Sequence, residues 1–277
     1  MEELPRKYKK LINQYKPIEV DGFMLYPFTV ERYEEYLVAS NAIGYMQQQL
    51  PIQLMSMPIL SAFFKMDAER VIRGESPTGL YTSAVVALAL ALRLVKTDDD
   101  IFEVCKGFVP ITSQNDPTQL KALAFNDAEG NARTITPIQF ANMRQIIAAQ
   151  NGIQIHDELD NPELVQAEQD LAEKKAPKLE MRPEDMIEAA AVFTGVEEEE
   201  IYGWAVLKLS RRLEMSRRIL DYAICAISEG NGASWKSGNP VPHPIFARKK
   251  EGSDALMDMS KFAGGQGLQA MKDAGAI

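Results

Sequence analysis

The stretch EEEEIYGWAVLKLSRRLEMSRRILDYAICAISEG, Glu197–Gly230, decides the fold class. Within it Val206, Leu209, Leu213, Ser216, Leu220, Ala223 and Ile227 recur at alternating steps of three and four. That spacing predicts one long helix with a seam along one side, suited to packing on another helix or on a second copy of the chain. Glu197–Glu200 stand at its start, where the positive end of the helix dipole favours carboxylates, and Asn231-Gly232 ends it. The chain that carries such a helix is expected to be mainly α.

Upstream, PEDMIEAAAVFTG reads as a compact helix stopped near Gly195, so residues 183–230 form a helical hairpin ending in the long helix. Residues 157–182 carry NPELVQAEQDLAEKK, a polar helix with little to bury, read as an acidic helical linker. Pro177 and Pro183 bracket a break after it. From Asp157 to Glu200 there are 15 acidic and 4 basic residues, a net of −11 against −9 for the whole chain. This segment therefore accounts for the full acidic balance, and the remainder is slightly basic.

Residues 17–156 read as a mainly helical body with two short hairpins. In IEVDGFMLYPFTV, Asp21-Gly22 supplies the turn and β-formers flank it. TVERYEEYLVASNAIGYM follows as a helix with Thr29 as N-cap and Tyr33, Tyr36, Leu37 and Ile43 near one face. In QLPIQLMSMPILSAFFKMD, Pro51 and Pro58 should cut the chain into short helices. SAVVALALALRLV, Ser83–Val95, is too short to span a membrane, is interrupted by Arg93 and reads as a buried helix. Thr97–Asp100 should start another helix. LKALAFNDAEGNARTIT reads as the second hairpin, with its turn at Asn126–Asn131. Thr136-Pro137-Ile138-Gln139 has the form of a capping box with proline at N1, and Asn151-Gly152 ends the helix it opens. Residues 1–16 form a basic N-terminal arm. Residues 231–277 form a flexible Pro/Gly/Met docking tail. The expected architecture is mainly α with short β-hairpins: a helical N-terminal body, a long C-terminal helix and a flexible tail.

Composition narrows the function. With 277 residues, 46% of them hydrophobic and 25% charged, the chain has enough material for a buried core. A pI of about 5.0 argues against bulk attraction to phosphate backbones. Cys105 and Cys225 are far apart in apolar contexts and read as buried free thiols. With His156 and His243 the only histidines, this argues against a Cys/His zinc site. MEELPRKYKKLINQYK lacks the apolar centre of a signal peptide, and a soluble intracellular protein with no membrane contact is expected.

Asp98, Asp99 and Asp100 point in different directions on a helix, which favours helix capping over metal binding. His243 lies between Pro242 and Pro244, with Pro240 before it, and no serine or aspartate motif accompanies it. A stiff polyproline-like docking segment fits better, with Trp235, Ile245, Phe246 and Arg248 as its contacts. Met257, Met259 and Phe262 extend it as adaptable apolar contacts. Met46, Met55, Met57 and Met66 are read as core filling. Lys208, Arg211, Arg212 and Arg218 share a broad helix face, while Arg217 points away. An ion-paired, solvated face is the leading reading for them, and phosphate contact is the alternative. GxxxxGK[ST], GxGxxG, HExxH and GxSxG patterns are missing, so no catalytic residue, metal or cofactor is assigned.

Four phrases, VDGFMLYPFTVERYEEYL, TPIQFANMRQIIAAQNG, TGVEEEEIYGWAVLKLSRRLEMSRRILDY and SGNPVPHPIFARKK, resemble proteins encoded in the tail-morphogenesis region of prophages and long-tailed phages. The class with this character is the tail assembly chaperone, which is similar in being acidic and mostly helical with a flexible C-terminal extension. The resemblance implies a non-enzymatic protein of the host bacterial cytoplasm. Its implied partners are the tape-measure protein, which it holds, and the tail-tube subunits, which it recruits. The chain departs from the class in its length and its two hairpins. That leaves open a permanent structural tail or neck component of the virion. A nucleic-acid-binding phage regulator using the Arg211–Arg218 helix is a further alternative.

Overall fold

The computed structural model describes residues 4–96, 99–155, 167, 171 and 182–232. It is helix-rich with two small antiparallel sheets, in line with a mainly α chain carrying minor β structure. The chain divides into two units, Met1–Glu214 and Met215–Ile277.

In the first unit, α1 (Arg6–Asn13) starts after Pro5 and buries Ile12. Strands β1 (Ile18–Val20) and β2 (Phe23–Leu25) pair with Val20 opposite Phe23, leaving Asp21-Gly22 as a two-residue turn. Both turn residues have positive φ, 50° and 78°, the geometry whose twist matches a hairpin. Ile18, Val20, Phe23 and Leu25 face inward, and Glu19 and Met24 face out.

The helix expected from Thr29 begins later, as α2 (Tyr33–Ile43), after a single 3₁₀ turn at Val30–Arg32. Thr29 is extended and makes no side-chain cap, because its backbone serves a bridge to Ala205 instead. Leu37 is exposed, and the face turned inward carries Ala39, Ala42 and Ile43. Pro51 and Pro58 do segment the next stretch into 3₁₀ turns at Gln47–Gln49 and Ile52–Leu54. After Pro58, however, α3 (Ile59–Ile72) runs for 14 residues.

Helix α4 (Leu80–Ala91) is the centre of this unit. Every residue from Ser83 to Ala91 is buried, with α2, α3 and the short α5 (Ile101–Lys106) against it. It stops earlier than its apolar run because Arg93 turns left-handed (φ 52°) and lays its guanidinium 4.3 Å over the Tyr26 ring. Strands β3 (Val109–Thr112), β4 (Leu120–Asn126) and β5 (Ala132–Ile135) form an antiparallel sheet in that order. The β4–β5 hairpin is the expected one, its turn tied by Asp127 accepting from the Glu129 and Asn131 amides. The sequence reading missed β3. Pro110 removes a ladder donor, and that is tolerated here because β3 is an edge strand.

Helix α6 (Pro137–Asn151) has the expected boundaries. The Gln139 amide donates to Thr136 Oγ1 at 3.3 Å, and the Thr136 amide donates to Gln139 Oε1 at 2.9 Å. Gly152, at φ 71°, ends it. The main core joins these elements through Leu25, Phe28, Ile43, Phe63, Leu88, Leu123, Phe140 and Ile147. Arg144, on α6, donates to the carbonyls of Ile43 and Tyr45 and so closes the end of α2. Burial lowers the pKa of its guanidinium to about 10.

Helix α7 (Pro183–Thr194) stops at Gly195 as expected. The single helix expected over Glu197–Gly230 is two: α8 (Glu198–Tyr202) and α9 (Val206–Gly230). The break has a tertiary cause. The Val30 amide donates to the Trp204 carbonyl and the Val206 amide to the Phe28 carbonyl, each at 2.9 Å. Backbone groups at 204–206 are therefore committed to residues 28–30 and unavailable to a continuous helix. Ile187, Ala190, Ile201, Trp204 and Leu209 close around Val30 as a second, smaller apolar cluster. The described part of the second unit is α9 from Met215 onward.

Candidate functional site

The seam read from the sequence lies on one side of α9, and its two halves differ. At roughly 100° per residue, Val206, Leu209, Leu213, Leu220, Ile224 and Ile227 fall within about 60° of one another. Val206 and Leu209 are each only 1% exposed, and Leu213 packs half-buried against the second cluster. Beyond Glu214, within the second unit, the same line of side chains lies open. Leu220 is 44% exposed, Ile224 61% and Ile227 65%, with Ile219 beside them at 50%. Ser216 and Ala223, the small members of the seam, are half-buried. Ser228 and Asp221 border this line, and the side turned away from it carries Arg218, Tyr222, Cys225 and Glu229. A helix with an open apolar face can bind another apolar surface.

The basic set sits elsewhere on the same helix. Lys208 Nζ stands 3.7 Å over the Trp204 ring, and burial is the main cause that lowers its pKa. Arg211 lies 5.8 Å over the Tyr15 ring. Arg212 is exposed and Arg218 half-buried, while Arg217 meets Asp221 at 4.0 Å. The aromatic seats of Lys208 and Arg211 were not read from the sequence. The signal was there for Lys208, four residues after Trp204.

Of the aspartate run, Asp100 caps α5, accepting from the Phe102 amide at 2.9 Å, and Asp99 Oδ2 accepts from the Lys96 amide at 2.9 Å. Asp98 and His156 lie outside the described residues, as do the docking segment's Trp235, Pro240, Pro242, His243, Pro244, Ile245, Phe246 and Arg248, and Met257, Met259 and Phe262. Met46 fills the core as expected and Met57 and Met66 are half-buried, but Met55 is exposed near the 82% exposed Ile52. Both cysteines are half-buried rather than buried. Burial, and then the Asp100 carboxylate, push the Cys105 thiol up to about 11.

An open groove of about 530 Å³ lies between α1, the β1–β2 turn and α6, lined by Leu4, Tyr8, Val20, Asp21, Asn142 and Ile146. Asn142 Nδ2 donates to Asp21 Oδ2 across it at 2.9 Å. Among the described residues, no three His, Cys, Asp or Glu side chains gather as a metal site, and no helix is long and apolar enough to cross a membrane. Compared with described protein families, curated proteins and solved structures, the chain matches none.

Proposed function

We propose that this chain is a non-enzymatic assembly factor of a phage tail, a chaperone that holds the tape-measure protein and recruits tail-tube subunits. The observation that carries the reading is the open distal half of the α9 seam, Leu220, Ile224 and Ile227. Exposed apolar side chains in register along a helix suit a helical, coiled-coil-prone partner, which buries them in the manner of a helix laid in a groove. A tape-measure chain offers such stripes until tube subunits enclose it. The acidic balance supports the same reading, since it keeps a holder and its client in solution.

The test is co-expression with the tape-measure and tube proteins of the same phage. The chain is expected to co-purify with the tape-measure protein and to be absent from mature particles. Leu220→Glu with Ile227→Glu is expected to abolish capture while leaving the helical circular dichroism of the folded chain unchanged. Stoichiometric recovery from purified virions would assign it instead as a permanent tail or neck component.

A further inference from the structure

We infer that, without a client, the distal half of α9 is covered by a second copy of the chain, paired antiparallel. The large and small members of the seam alternate in a way that complements their own reverse. In the 3,4 pattern, Leu220 and Ile227 occupy one kind of seam position, and Ser216 and Ala223 the other. In an antiparallel pair the two kinds meet, so Leu220 lies opposite the second copy's Ala223 and Ile227 opposite its Ser216. Every layer then joins a large side chain to a small one and fills at close approach of the helices. A parallel in-register pair would stack Leu220 on Leu220 and Ser216 on Ser216, alternating crowding with voids, and voids cost stability.

Charge selects the same direction. The positions flanking the seam are Arg212, Ile219 and Ala226 on one side and Arg217 and Ile224 on the other. In a parallel pair the two flanks meet across the interface and set Arg212 against the second copy's Arg217, a like-charge contact that the exposed 4.0 Å pair of Arg217 with its own Asp221 offsets only in part. In an antiparallel pair each flank meets itself, so Ile219 lies near the second copy's Ala226 and Arg217 lays its stem along Ile224. The helix dipoles also oppose favourably. The interface is isologous, so it closes at two copies and does not propagate. Exposure is concentrated where the pairing needs it, with Ile219, Leu220, Ile224 and Ile227 each 44% exposed or more.

The pairing uses the face assigned above to the client and is measured with no client present, so either reading can fail alone. The experiment is sedimentation equilibrium of the full chain over rising concentration, where the mass is expected to climb from 30.9 kDa to twice that value. Leu220→Glu with Ile227→Glu is expected to hold the mass at one chain, while Ile72→Glu, an exposed site on α3, leaves the doubling intact. Ala223→Leu should weaken pairing at least tenfold by overfilling its layer. Adding Leu220→Ala, which exchanges large and small, should restore it. A chain that stays monomeric at every concentration overturns the proposal, as does a dimer that survives Leu220→Glu with Ile227→Glu. Tighter pairing in Ala223→Leu overturns the antiparallel arrangement.

Discussion

The backbone N–H of Phe28 donates to Asn151 Oδ1 at 2.7 Å, across 123 residues of sequence. Asn151 in turn donates to the Ile147 carbonyl at 2.8 Å, and its neighbour Gln150 donates to the carbonyls of Leu25 and Lys16. The last turn of α6 thus holds the strand exit whose next residues pair with 204–206. Replacing Asn151 by Leu leaves a buried amide without its acceptor. We expect a loss of about 1–3 kcal/mol, read as a lower urea midpoint at unchanged slope.

Gly152 carries two separable constraints. Its φ is 71°, and a Cβ there would lie 3.0 Å from Leu207 Cδ1. Gly152→Ala should cost about 1–2 kcal/mol from the left-handed backbone, with the contact in addition. Leu207→Ala in the same chain removes the contact and leaves the backbone penalty. A double-mutant cycle should therefore show a coupling confined to the steric part.

Asp67, on α3, gathers the loop between α3 and α4. Its carboxylate accepts from the Thr78 amide at 2.6 Å, from the Thr78 hydroxyl and from the Tyr81 amide at 3.3 Å. Asp67→Ala should destabilise by about 1–3 kcal/mol and speed proteolytic nicking between Arg73 and Gly79. Asp67→Asn keeps an acceptor oxygen and should lose less. Equal nicking rates in wild type and Asp67→Ala would show that this carboxylate does not hold the loop.

Cys105 gives a pH signature. Its thiol titrates near 11, raised first by burial and then by Asp100. The protonated thiol is the form the fold prefers. Its contribution to stability is whole below the ordinary thiol range and is lost as pH rises through about 11. In a Cys225→Ser background, alkylation by iodoacetamide should be slow at neutral pH and rise with an inflection near 11. Asp100→Asn keeps the α5 cap and removes the negative charge, so the inflection should move down.

What could be read in advance had a local cause. Thr136, Pro137 and Gln139 satisfy the first amides of α6 among themselves, and Gly152 supplies the left-handed stop, so both ends of that helix were legible. The Asp21-Gly22 turn and the Gly195 stop are equally short-range. The positions of the α9 seam were legible for the same reason, since periodicity belongs to one helix.

The break at Gly203–Ala205, the late start of α2 and the edge strand β3 were not legible. Each depends on a partner far away in sequence: residues 28–30 meet 204–206, and β3 meets β4. The seam shows the division most plainly. The sequence by itself determined that Val206, Leu209, Leu213, Leu220, Ala223 and Ile227 share one side of a helix. Only the tertiary structure decided that Val206 and Leu209 are consumed by the chain's own core while Leu220 and Ile227 stay open. Helical period is set by backbone geometry along a few residues, whereas burial is set by whichever surfaces the rest of the chain brings alongside.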